Sequence, residues 1–371
     1  MTTDESPIIL SQRYCLGSIR LLLSMLALVC PWFYHEAIAL EPVEPLRAVI
    51  PKAQPTPLID GNLEEYDNAL CTPIEYFHAD SRNRPAQFYY LWDEQAIYVG
   101  VRTLDEKPFA PDELFWIGDA VEWYFDTRAA TIAERRSWGP GAVHCFFTPL
   151  RRDQVAPRFS LRPGYEDAIP EIGIEVAAKQ RDFGLEYEFK LPWSNFPEFK
   201  PLAGASLHLD AELSFSDGVS RSFRSFVFGG PLSVEQPANL ARAVLVDQFQ
   251  TSHWRDCGPV MMPMRVDVAW QQDSTPQVEA MIAMPPNRMT DVGKVVFRLL
   301  NTSGDTIAEH LADKEEILDA SGKFIRRTSN WPVSIAAPGS YHIQAIVYDQ
   351  HDKELVRVAP RLVSFNMVQG Y

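Results

Sequence analysis

Four stretches of this chain alternate apolar and polar residues with a period of two, and that alternation limits the fold more than any other feature. Val121, Trp123 and Phe125 alternate with Glu122, Tyr124 and Asp126. Leu185, Tyr187, Phe189 and Leu191 alternate with Glu186, Glu188 and Lys190. Leu207, Leu209, Ala211 and Leu213 alternate with His208, Asp210, Glu212 and Ser214, and Ile97, Val99 and Val101 make a fourth set. Successive side chains of an extended strand point to opposite faces, so each stretch reads as a half-buried β-strand. Turn residues bound the first: Gly118-Asp119 opens it and Asp126-Thr127-Arg128 closes it. Several short strands separated by turns, with 29 prolines and few segments of helical period, predict an all-β chain of antiparallel sandwiches.

A length of 371 residues suits two domains. A net charge of -15 argues against nucleic-acid binding, which needs a basic stripe, and against docking on anionic lipid. At the N-terminus Arg13 and Arg20 precede the apolar run from Leu21 to Val29, and Ala37-Ile38-Ala39 follows. This is the order of a signal peptide, residues 1–39, cleaved before Leu40; an uncleaved anchor is the alternative. The expected location is therefore secreted, periplasmic or at the cell surface, with no membrane insertion after cleavage. Cys15 and Cys30 leave with that segment. Cys71, Cys145 and Cys257 remain, enough for at most one disulfide with one thiol left over.

Residues 40–57 are proline-rich and read as a linker. The first domain is expected over 58–256. Gln87 to Asp105 reads as a hairpin turning at Trp92-Asp93-Glu94-Gln95, Arg135 to Gly141 as a loop, and Arg151 to Pro170 as irregular. After Trp254-Arg255-Asp256-Cys257-Gly258-Pro259 the character changes, and further strands from Val266 to Phe365 predict an immunoglobulin-like sandwich over 257–371. The expected link between the domains lies near residue 257.

Trp116 stands in a loop just before a strand that carries Glu122. An indole face takes the apolar side of a pyranose and a carboxylate accepts paired hydroxyls, so the two outline a sugar site; ordinary core roles are the alternative. His208, Asp210 and Glu212 share a strand face, which metals accept, although a solvent-exposed polar face is the expected reading. Glu186 and Glu188 lie about 7 Å apart by strand rise, and nothing in the sequence marks either as the buried acid a glycoside hydrolase needs. No serine elbow, H-E-x-x-H or phosphate loop occurs, so no catalytic residue is assigned.

With these strands placed, the stretch from Pro57 to Asp247 resembles the family 9 carbohydrate-binding modules and their DOMON-like β-sandwich relatives. The pieces that carry the resemblance are Leu58-Ile59-Asp60-Gly61-Asn62-Leu63-Glu64-Glu65-Tyr66, the hairpin Tyr90 to Val99, Gly118-Asp119-Ala120-Val121-Glu122 to Asp126, Glu186 to Trp193, and Pro237 to Val246. The resemblance implies a non-catalytic, exported carbohydrate-binding protein linked to polysaccharide breakdown or cell-surface glycan recognition, with a saccharide or polysaccharide as partner. The family holds a sugar between two tryptophans, with a glutamate and polar groups on the hydroxyls. Trp116 and Glu122 match the first tryptophan and the glutamate, and the implied binding set is Trp116, Asp119, Glu122, Tyr124, His144, Arg224 and Phe226. This sequence departs from the pattern at the second tryptophan, where Phe226 or Phe228 stands instead. Some members bind calcium, for which Asp60, Asp105 and Asp119 are the candidate oxygen donors; no other cofactor or metal is expected. Two other readings remain: a surface structural protein that meets a protein partner through its C-terminal domain, and a haem-binding sandwich using His144 or His208 with Met261, Met262 and Met264.

Overall fold

The computed structural model describes residue 44 and residues 46–365, apart from 75–85, 106, 113, 114, 130, 217, 220, 229, 230, 263, 271–275, 313, 318–324 and 333–337. The expected signal segment lies outside the described residues. Residues Pro45–Tyr371 form one compact unit.

The first sandwich contains β1 (Leu46–Pro51), β2 (Leu70–Ile74), β3 (Ala86–Trp92), β4 (Ala96–Leu104), β5 (Ala120–Asp126) and β6 (Ala142–Arg151). It continues with β7 (Gln154–Leu161), β8 (Glu175–Arg181), β9 (Gly184–Pro192), β10 (Ser206–Ser216), β11 (Arg221–Phe226) and β12 (Ala241–Val246). One sheet runs β1-β12-β10-β5-β6-β7 with β11 also on β10; the other runs β2-β3-β4-β9-β8. Pairing is antiparallel except between β1 and β12. The alternating residues meet between the sheets as expected: the Trp123 ring packs edge-on to Phe189 at 5.1 Å and Phe147 lies 5.4 Å from Tyr187.

The second sandwich contains β13 (Met264–Trp270), β14 (Pro276–Met284), β15 (Lys294–Leu300), β16 (Thr306–Leu311) and β17 (Lys314–Ile317). It ends with β18 (Ile325–Pro332), β19 (Gly339–Tyr348), β20 (Glu354–Arg357) and β21 (Arg361–Phe365). Its sheets run β13-β14-β18-β17 and β16-β15-β19-β20, with β21 on β19. The chain is thus all-β with two consecutive antiparallel sandwiches.

Three expectations are corrected. The linker of residues 40–57 contains β1, whose apolar run Ala48-Val49-Ile50 is buried. The irregular stretch after Arg151 contains β7, an edge strand whose Val155, Phe159 and Leu161 alternate with polar residues but are interrupted by Pro157; the proline is tolerated there because an edge needs no outward N–H bond. The link expected near residue 257 is a helix, α1 (His253–Met261), so the boundary between 256 and 257 falls inside an element. Trp254 and Cys257 of α1 are fully buried, and they join the two sandwiches in one continuous apolar core. Met262 and Met264, two of the methionines of the haem reading, are buried in the same core. The three cysteines are each buried and unpaired, so no disulfide staples the described fold. Among the described residues, no helix is long and apolar enough to cross a membrane.

Helix α1 approaches β20 closely. A Cβ on Gly258 would lie 2.5 Å from Cγ2 of Val356, closer than side-chain atoms tolerate. We expect Gly258→Ala to lower Tm: the crowding costs about 1–3 kcal/mol, against about 1 kcal/mol gained in helix propensity. The intact chain should unfold in one transition, with α1 resistant to limited proteolysis. Two separate calorimetric transitions, or cutting within α1 under native conditions, would contradict the shared core.

The opening motif is held by a carboxylate. Gly61 adopts φ 84°, in the left-handed region, and its site for a Cβ is 2.9 Å from the Ala178 backbone, so only glycine fits. Its N–H and that of Asp60 both donate to Oε1 of Glu188 at 2.7 Å. Glu188, whose position gave no sign of burial in the sequence, is fully buried. Burial pushes its carboxyl up to about 7. A carboxyl raised from 4.5 to about 7 binds its proton more readily in the native state, so native stability falls as pH rises through that window. Glu188→Gln keeps an acceptor for both N–H groups and removes the titration. Thermal melts should show the variant gaining on the wild type between about pH 5 and pH 8; parallel pH profiles would overturn this.

Candidate functional site

Strand register gathers the site. On β5, β6 and β10, Glu122 lies opposite both Phe146 and Glu212, and Tyr124 opposite both His144 and Asp210. Glu212 in turn faces Phe226 on β11. Paired residues share a sheet face, so the polar half of each alternating strand falls on one surface, away from the inter-sheet core. That surface is not solvent-exposed as expected for the β10 face: Asp210 and Glu212 are completely buried and His208 is 7% exposed.

Buried charge requires partners. The Tyr124 hydroxyl lies 3.1 Å from Oε2 of Glu122 and 3.0 Å from Oε2 of Glu212. One phenolic hydrogen therefore serves two carboxylates. Arg224 donates from Nε and Nη2 to the two oxygens of Glu212, and Arg221 Nη1 lies 3.4 Å from Glu122 and 3.6 Å from Glu212. His144 Nε2 is 3.0 Å from Glu122, and its Nδ1 is 3.3 Å from Arg162 Nη1. A guanidinium only donates, so Nδ1 accepts and Nε2 carries the hydrogen given to Glu122. Burial lowers the pKa of His144, in keeping with a neutral ring. With both nitrogens engaged, His144 offers no axial ligand to a haem. Burial opposes ionisation of Glu122, but His144, Arg224 and Tyr124 outweigh it and hold the carboxyl below its usual range. Burial raises Glu212 against the pull of Arg224, and raises Tyr124 further from ionisation.

Aromatic rings border this network. Trp116, on a 3-10 turn at Phe115–Ile117, is half-buried and packs 5.9 Å from Phe146, which lies 5.1 Å from His144. At the other end Trp138 lies 5.5 Å from His144 and 6.0 Å from Tyr124. Phe226 sits on the face beneath the Arg224 guanidinium at 5.4 Å, whereas Phe228 is buried against Tyr90.

The structure thus brings together Glu122, Tyr124, His144, Arg224 and Phe226, with Trp116 at the edge. Asp119 is separate. Its parity is that of Val121, and its oxygens accept the N–H groups of Phe109 at 2.6 Å and Ser216 at 3.0 Å. Burial and the neighbouring Asp105 raise its pKa well above the usual range, as expected of a carboxyl that fastens a strand start. The three aspartates offered for calcium divide between two places, since Asp60 binds Asn62 in its own turn beside Lys179. Among the described residues no group of three or more His, Cys, Asp and Glu is arranged to hold a metal ion. The sequence reasoning missed Glu212 as a site residue, Arg221, Arg162 and Trp138. Glu212 carried a signal in its alternating strand, and Arg162 continues the polar parity of β7, whereas no period marks Arg221 or Trp138. A cavity of about 260 Å³ lies elsewhere, with Lys52, Asn68, Asp247, Phe249 and Arg288 among its walls.

No model of a known protein family and no curated protein matches the sequence. Among solved structures, the chain is similar to a family 9 carbohydrate-binding module from Caldicellulosiruptor kristjanssonii in complex with cellotriose. The identity is 16% over 55% of this chain and 96% of that one, with a TM-score of 0.45. A family 9 carbohydrate-binding module from the same organism in complex with glucose gives 16% identity, 55% and 97% coverage and a TM-score of 0.44. A putative carbohydrate-binding protein from Bacteroides uniformis gives 11%, 54%, 100% and 0.35.

The Tyr124 bridge sets a stability test. Tyr124→Phe keeps the ring and leaves two buried carboxylates facing each other without their shared donor. A loss of about 1–3 kcal/mol is expected in denaturant unfolding. An unchanged midpoint would show that the hydroxyl is not needed.

Proposed function

We propose that this chain is an exported, non-catalytic saccharide-binding protein whose site lies at the rim made by Trp116, Phe146, Arg221, Arg224 and Phe226. The observation that carries the reading is the aromatic edge set beside a dense polar network on one sheet face. Half-buried Trp116 adjoins Phe146, which lies opposite Glu122 in the β5–β6 ladder. Rings with an open face take the apolar side of a pyranose and fixed polar groups orient its hydroxyls. The motifs that resemble family 9 modules and the signal-like N-terminus support the same role, in polysaccharide breakdown or surface glycan recognition. The second, immunoglobulin-like sandwich would serve as spacer or protein-docking module.

A second reading is a structural protein that has lost sugar binding, favoured by one observation: Glu122 and Glu212 are enclosed by their own arginines, with side-chain exposures of 6% and 0%. A glycan array followed by calorimetric titration separates the two. Trp116→Ala should weaken the titrated affinity by about 1–3 kcal/mol, the worth of an aromatic anchor, with little change in Tm. Loss of Tm without loss of affinity would assign Trp116 to the core and leave the structural reading.

A further inference from the structure

In a site built for neutral sugars, carboxylates accept the hydroxyl hydrogens. Here the carboxylates are already taken. Glu212 accepts from Arg224 through both oxygens, from Tyr124 at 3.0 Å and from Ser214 at 3.5 Å. Glu122 accepts from Tyr124, His144 and Arg221. A carboxylate has about four lone-pair positions, so little acceptor capacity is left for a ligand.

What remains toward solvent is donors. The side chains of Arg221 and Arg224 are 26% and 33% exposed, above carboxylates that are 6% and 0% exposed. Arg224 holds Glu212 with Nε and Nη2, which leaves Nη1 without a hydrogen-bond partner among the described residues. Arg221 reaches the same Glu212 oxygen, Oε1, from Nη1, so the two guanidinium groups converge. Arg162 adds a third cation on the His144 side. Arg221, Arg224 and Arg162 set three guanidinium groups against the carboxylates of Glu122 and Glu212, so the rim is far less negative than a chain whose net charge is -15. An anion repelled by most of the surface is drawn to such a place.

We propose that the site selects an acidic saccharide: a uronate whose ring packs on Trp116 and whose carboxylate is held by Arg221 and Arg224. The inference rests on the saccharide reading and adds the class of sugar. Convergent guanidinium groups match the planar carboxylate with paired N–H donors, as an ammonium group cannot. Asp210 does not compensate them, because its oxygens bind Phe228 N–H at 2.8 Å and Ser233 Oγ at 2.6 Å from a fully buried position.

The test is calorimetric titration of the purified chain with a matched pair: cellobiose, and the same disaccharide with one hydroxymethyl group oxidised to a carboxylate. The uronate should bind about tenfold tighter at low salt, and the preference should shrink as NaCl rises from about 50 to about 500 mM. Arg221→Gln, whose two contacts are long, should lose the preference for the uronate over cellobiose while Tm stays near wild type. A double change, Arg224→Gln with Glu212→Gln, removes the second cation without stranding a buried charge and should abolish the preference. Equal binding of both disaccharides overturns the uronate inference and keeps the saccharide reading. Binding of neither overturns both. Acetate displacing the uronate with equal affinity would show a bare carboxylate site and overturn the saccharide part.

Discussion

Strand β5, in the interior of its sheet, is buried on both faces, and the rest of the first sandwich follows from that constraint. All seven residues of β5 are buried. One face is apolar and closes against β4 and β9, as an alternating strand should. The other carries Glu122, Tyr124 and Asp126, which have no water to turn to. Each must find its hydrogen bonds within the protein, because an unpaired buried carboxylate costs several kcal/mol or more. Asp126 is met by Arg128 through both oxygens at 2.9 and 2.8 Å. Glu122 and Glu212 are met by a phenol, an imidazole and two arginines. The network is the condition on which that second face can be covered at all.

Alternation made the strands legible and left the covering invisible. The period of two placed β4, β5, β9 and β10 and told which of their residues meet between the sheets. It could not tell whether the polar side was wet. Glu186 shows the same limit: it sits in an amphipathic strand, yet it is buried by Arg102 and Arg181, which reach it from other strands. Burial of a polar face depends on what reaches across it, and here Trp138 comes from a loop, Arg162 from just past the edge strand β7 and Arg221 from the start of β11. The motif Gly118-Asp119 was legible as a strand start, but its physical role is local. A Cβ on Gly118 would lie 2.5 Å from the Ala110 backbone, and Asp119 binds the N–H groups on either side of that approach. Among the site residues, Glu122 was marked by its place on an alternating strand just after Trp116, whereas Tyr124 and His144 were named only through the resemblance to family 9 modules, and the register then brings the three together. Phe226 was found by its place near the missing tryptophan.

The turn toward the second sandwich was misread for a related reason. Proline, glycine and a change of composition are the signs of a linker, and Cys257-Gly258-Pro259 shows the first two. Here the glycine permits close packing instead: α1 can lie against β20 only where no side chain intervenes. Trp254 then enters the core and its indole N–H reaches Asp291 at 3.2 Å. Small residues allow either freedom or contact, and only the neighbours decide between them.

If the rim binds a saccharide as proposed, recognition and stability are hard to separate in this protein. The residues that read as sugar contacts in the sequence, Glu122, Tyr124 and His144, are the ones that let the sheet bury its polar face. Their hydrogen-bonding capacity is used internally, so a ligand cannot engage them without displacing an arginine. The groups left over are those at the rim, where Trp116 offers an apolar face and Arg221 and Arg224 offer donors. A fold that must neutralise buried acids with arginines from its edge strand thereby presents cations outward. The chemistry offered to a ligand is the complement of the chemistry that holds the sheet together.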